Sequence, residues 1–223
     1  MKRRYLVITA AAAAFAVVLA CSKNSSASSA SDAALPDSVL LKRADHARIE
    51  GSASAPVWVI EVSDFQCPYC RQFHDESYGA LKRAYVDSGK VRLAYINFPL
   101  TMHRNSFAAS ESAMCAAAQS KFWEMHDALF TTQRAWENLP SPQKMFDSLA
   151  VAQSVELSAF QKCVSGHLTK PMIEADVDRA TKQGVESTPT FIIGGMMVTG
   201  AQPLANFRRA IDSALVLAAG AKH

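Results

Sequence analysis

The residues Val57-Trp58-Val59-Ile60-Glu61-Val62 form a β-branched and aromatic run, and Cys67-Pro68-Tyr69-Cys70 stands close behind it. A run of that composition suits a strand buried on both faces of a sheet. Beyond the cysteines, Phe73, Tyr78, Leu81 and Tyr85 recur near helical spacing until Gly89, which predicts a helix over 71–86. Two thiols three residues apart at a helix start lie close on one face. Strand, cysteine pair and helix therefore form one unit, with both thiols at the junction.

The rest of the chain fits around that unit. Residues 91–98 alternate in part and end at Pro99, a second strand completing a strand–helix–strand crossover. Helical stretches follow at 106–119, 121–130, 143–150, 157–164 and 170–183 with little strand signal between them. Within them Phe122, Trp123, Met125 and Phe130 have the spacing of a core stripe. Strand character returns at 190–193 and 196–199, split by Gly194-Gly195, a hairpin signal. A helix over about 204–217 closes the pattern. The order βαβ, helical block, ββα predicts an α/β fold over 46–220, with a helical insertion at about 104–183.

The N-terminus reads differently. Lys2, Arg3 and Arg4 precede an almost wholly apolar 5–20, the pattern of an export signal and too short for a membrane span. Val18-Leu19-Ala20-Cys21 resembles a lipobox, which makes Cys21 the expected lipidation site and the N-terminal lipid the expected membrane anchor. Ser and Ala dominate 22–37, so a flexible tether is expected over 21–45. The formal charge of +3 equals the three basic residues of the signal; without them 23 Lys and Arg fall to 20, matching 20 Asp and Glu. That balance argues against nucleic-acid binding.

At a helix N-terminus, unpaired amide hydrogens and the macrodipole favour a thiolate, so Cys67 is the expected nucleophile and Cys70 the resolving thiol. Pro68 suits the first helical turn, where its missing donor is not needed. A zinc site would need a second ligand pair, and none adjoins. His74, His103 and His126 have no ligand spacing, so neither metal nor cofactor is expected. A purely structural disulfide across so short a loop would add little stability. Cys67, Cys70, Cys115 and Cys163 make an even number in a chain read as exported, room for two disulfides or for separate buried thiols.

Several segments together resemble the DsbA-like family of exported thioredoxin-fold proteins. They are 61–70, ending in Cys67-Pro68-Tyr69-Cys70; Phe98-Pro99-Leu100 with His103; Cys115-Ala116 with Gln119 and Lys121-Phe122-Trp123; and Gly184-Val185 with Thr188-Pro189-Thr190-Phe191. The resemblance implies a thioredoxin-like fold and a protein thiol:disulfide oxidoreductase. It implies a cis Pro189 against the cysteine pair, where sequence alone leaves trans open, and a substrate strand pairing with Thr188. It implies that Glu61 is buried and moves the proton of the resolving thiol, and that Cys115 and Cys163 form a second disulfide. The expected partners are unfolded exported polypeptides and a membrane redox partner, in the periplasm or cell envelope. Isomerase relatives add a dimerisation domain, so a monomeric oxidase is expected. A disulfide isomerase or reductase, or a lipoprotein binding a soft metal through the pair, stays open at this point.

Overall fold

The computed structural model describes residues 37–221. The signal 1–20, Cys21 and the tether up to residue 36 lie outside the described residues. The elements run α1 (Asp37–Ala47), β1 (Ile49–Glu50), β2 (Val57–Ser63), α2 (Pro68–Phe73), a π-helical turn His74–Tyr78, α3 (Gly79–Leu81), a second π-helical turn Lys82–Val86, and β3 (Val91–Asn97). Then come α4 (Ser106–Ala117), α5 (Phe122–Thr131), α6 (Gln133–Trp136), α7 (Gln143–Ala152), α8 (Leu157–Ser165), α9 (Lys170–Lys182), β4 (Thr190–Ile193), β5 (Met196–Thr199) and α10 (Leu204–Gly220). Among the described residues no helix is long and apolar enough to cross a membrane.

The sheet order is β1-β3-β2-β4-β5. Strand β2 pairs parallel with β3 and antiparallel with β4, so Glu61 sits between Tyr95 and Phe191. This is the thioredoxin-like α/β fold, with helices α4 to α9 inserted between its two halves. One core packs the insertion against Phe65 and Tyr95; a second packs Val57, Val59 and Phe191 against Phe73 and Phe207; a third, smaller one gathers Val62, Phe98, Ala180 and Val185. The rings of Phe73 and Phe191 lie 4.5 Å apart, fixing the helix after the cysteines onto the sheet. At the β4–β5 turn Gly194 has φ +54, and a Cβ there would stand 2.7 Å from Ala214 Cβ, so only glycine lets α10 approach.

Two differences from the sequence expectations have physical causes. The tether does not extend to residue 45: α1 begins at Asp37, and its Ala44 is fully buried, with Leu40 and Ala47 packed on the insertion core. At its end Arg48 pairs with the fully buried Asp176 of α9, whose carboxylate also accepts from the Asn97 backbone N–H at 3.2 Å and side chain at 3.0 Å. The segment also gains β1, two residues antiparallel to β3, which are too short to leave a pattern of their own.

Candidate active site

Strand β2 ends at Ser63, and Asp64-Phe65-Gln66 carry the chain to α2. Cys67 is the N-cap of that helix, with extended backbone (φ −68, ψ 126), and Pro68 opens the first turn. Gln133 of α6 holds the loop from the insertion side, donating to the carbonyls of Phe65 (2.7 Å) and Cys67 (3.0 Å). Both cysteines are in the thiol form and buried, Cys67 at 3 % exposure and Cys70 at 0 %, whereas Tyr69 between them is 62 % exposed.

The two thiols have opposite environments. A hydrogen bond from the Cys70 thiol, with the amide N–H groups of Cys70 and Tyr69, outweighs burial and brings Cys67 down to about 6. Burial, reinforced by the neighbouring Cys67 sulfur, pushes Cys70 well above its ordinary value. The peptide bond Thr188–Pro189 is cis, and the Thr188 carbonyl accepts from the Cys67 thiol at 3.4 Å. The Thr188 hydroxyl has no hydrogen-bond partner while Cys67 is a thiol, and beside that sulfur it is free to donate to a thiolate.

Behind the pair, Glu61 is 1 % exposed and its Oε2 has no partner. Burial raises its carboxyl to about 7, opposed by the Ser63 hydroxyl and by His74. Residues two apart share a strand face, so Ser63 lies beside Glu61, and Tyr95 faces Glu61 from β3 with its hydroxyl also unpartnered. Ser63 acts on the ionisation of Glu61, Cys70 and Tyr95, and Glu61 and Cys70 both act on that of Tyr95.

Cys115 of α4 and Cys163 of α8 are joined by a disulfide with Cα atoms 5.8 Å apart, remote in sequence from the thiol pair. Some groupings had no sequence signal. His74, His126 and Asp127 bring ligand-type atoms within 4.8 Å of one another, because the helix after Cys70 packs against α5. Asp127 Oδ1 hydrogen-bonds to both rings, at 3.3 Å from His74 and 2.8 Å from His126. Of the described residues these are the ones whose geometry suits a cation. Asp64, Ser63, Tyr95 and Gln133 likewise carry no sequence signal as site residues; Asp64 stands in the motif itself, and only its burial distinguishes it from a loop aspartate.

The thioredoxin family model matches residues 43–213, spanning the sheet, the cysteine pair and the insertion. The chain belongs to the thioredoxin family. Among curated relatives, this thioredoxin-family chain is 30% identical over 168 residues to the probable disulfide bond formation protein D of Bacillus cereus, covering 74% of the chain and 77% of the relative. It is 34% identical over 177 residues to the Na(+)/H(+) antiporter NhaA 3 of Salinispora tropica, covering 78% of the chain and 26% of that protein. The chain thus spans about a quarter of the antiporter relatives it matches. Among solved structures it is similar to alpha-DsbA1 of Wolbachia pipientis, with a TM-score of 0.71, 23% identity, and coverage of 79% of this chain and 94% of that one. It is also similar to oxidised BdbD of Bacillus subtilis, with a TM-score of 0.69, 21% identity, and coverage of 75% and 92%. Within the thioredoxin family the chain is DsbA-like.

Proposed function

We propose that this chain is a protein thiol:disulfide oxidoreductase that donates the Cys67–Cys70 disulfide to exported polypeptides. The observation that carries the reading is the asymmetry of the pair, with Cys67 near 6 at a helix N-terminus and Cys70 buried and protonated behind it. A thiol of low pKa is a good leaving group, which favours disulfide donation.

In that reading a substrate thiolate attacks Cys67 Sγ, the Cys67–Cys70 bond breaks, and the electron pair leaves on Cys70. Glu61, with a carboxyl near 7, supplies the proton that Cys70 takes up and reclaims it when the pair is reoxidised. A second substrate thiolate then attacks the mixed disulfide and releases Cys67 as thiolate. Thr188 and Pro189 form the substrate-facing wall, and exposed Tyr69 and Met102 offer apolar surface to unfolded chains. The Cys115–Cys163 bond is structural.

The same reading makes 1–20 a signal, Cys21 the lipid anchor, and the periplasm or cell envelope the site of action of a monomer reset by a membrane redox partner. The basic start, the apolar core and the Ala20-Cys21 junction support it. The test is the equilibrium reduction potential of the pair in glutathione buffers, on a chain lacking residues 1–21. A value well above about −270 mV, toward about −120 mV, supports donation. A value near about −270 mV assigns a reductase, and no redox transition excludes the enzyme in favour of binding.

A further inference from the structure

Asp64 lies in the loop between β2 and α2, fully buried, and both its backbone and its carboxylate face functional groups. Its carbonyl accepts the Cys67 N–H at 3.0 Å, and its own N–H points to Cys70 Sγ at 3.5 Å. Its carboxylate accepts the Gln66 N–H at 2.7 Å, the Leu100 N–H at 2.9 Å, the Ser106 hydroxyl, and His103 Nδ1 at 2.7 Å. Those bonds tie the cysteine loop to the chain entering α4. They also bury a carboxylate in the loop that presents Cys67, whose N–H donates to the Asp64 carbonyl, and a like charge nearby disfavours ionisation of a thiol.

The dipeptide between the cysteines, Pro68-Tyr69, carries no charge to offset this. The basic group that meets Asp64 is His103, whose side chain is 18 % exposed against the fully buried Asp64. The Asp64 hydrogen bond is the main cause that raises His103 above its ordinary value, and the other anionic groups facing the ring, Cys67 and Glu137, act in the same direction.

We propose that His103 is a positioning residue for the redox pair: its imidazolium, fixed on Asp64, neutralises the buried carboxylate and leaves Cys67 free to carry negative charge. The inference rests on the oxidoreductase reading above and names a residue outside the Cys-Pro-Tyr-Cys segment that sets its reactivity. A neutral ring would leave Asp64 uncompensated, so the Cys67 thiolate, and with it the reduced form of the pair, would lose stability.

The experiment compares the wild type with His103→Gln, Asp64→Asn and the double variant, with folding checked by circular dichroism. It reads the Cys67 titration from thiolate ultraviolet absorbance and the reduction potential in glutathione buffers. H103Q is expected to raise the Cys67 pKa by about one unit. At pH 7 that shifts the redox equilibrium about fivefold, or about 20 mV more reducing. The double variant, with both charges gone, is expected to return close to wild type. An unchanged titration and potential in H103Q overturns the proposal. So does a double variant displaced as far as the single one, since His103 would then be only a brace. If H103Q does not fold, D64N carries the test, with a lowered Cys67 pKa expected and an unmoved one overturning the idea. A wild type with no redox transition overturns the oxidoreductase reading instead, so the two failures are distinct.

Discussion

The Cys67 thiol donates a hydrogen bond to the carbonyl oxygen of Thr188 at 3.4 Å, bridging 121 residues of chain. The segment before β4 therefore lies against Cys67, and in the proposed reading a substrate reaching that thiol passes beside Thr188. The depth order follows from the same geometry, with Cys67 toward the Thr188 side and Cys70 closed off behind it at 0 % exposure.

That order predicts different fates for the two serine variants. Cys67→Ser is expected to reduce disulfide exchange to background, because the low-pKa sulfur is the one attacked. Cys70→Ser is expected to accumulate a mixed disulfide formed when the Cys67 thiolate attacks a disulfide-bonded peptide and one peptide half leaves as a thiol, seen by mass spectrometry. An adduct on Cys70 in C67S, and none on Cys67 in C70S, would reverse the assignment.

Glu61 predicts a pH-dependent stability of definite sign. Its carboxyl lies at about 7 in the fold against 4.5 as the ordinary value. Between those values the folded chain binds more protons than the unfolded one, so stability falls as pH rises through that window. The loss approaches about 3 kcal/mol above pH 7. Glu61→Gln is expected to flatten the slope and to be more stable than wild type by about that amount at pH 8, measured by urea unfolding. Release of the trapped partner by Cys70 is expected to slow in the same variant.

The Cys115–Cys163 bond closes a loop with a sequence separation of 48. Chain-entropy arguments give a stabilisation of about 4 kcal/mol for a loop of that length. The Cys115→Ala, Cys163→Ala double variant is expected to lose about that much in urea while keeping the reduction potential of the Cys67–Cys70 pair. A changed potential would refute a purely structural role.

Asp176 is buried with Arg48, and the pair joins α9 to the end of α1. Asp176→Ala removes the buried partner of Arg48 and leaves it only the half-exposed Asp45, at an expected cost of about 3 kcal/mol, whereas adding Arg48→Met should recover most of it. Thermal unfolding of the two variants checks both statements. A D176A variant as stable as wild type would show that the pair contributes nothing.

Much of this was legible from residues alone. The strands at 190–193 and 196–199 coincide with β4 and β5, because a glycine pair between β-branched runs leaves one local solution. The crossover around the cysteines was equally plain, since strand and helix periods change abruptly at Cys67. Helix α1 was hidden because its mixed sequence adjoins a Ser/Ala-rich tract and has a weak pattern. What holds it is Ala44 against the insertion core and Arg48 against Asp176, partners far along the chain. The two π-helical turns after Phe73 left no trace in spacing read at the α period.

The sequence by itself determined the α/β class, the order of elements and the two sulfur atoms at a helix start, because periodicity and the Cys-Pro-Tyr-Cys spacing are local properties. Only the tertiary structure decided which side chains surround those sulfurs. Asp64 reads as a loop aspartate until Leu100, His103 and Ser106 close over it, and Ser63 and Tyr95 read as strand residues until they meet Glu61 beneath Cys70. Hydrogen bonds and desolvation depend on distance in space, and residues 36 to 121 positions apart in the chain come together only when the sheet and the insertion have packed.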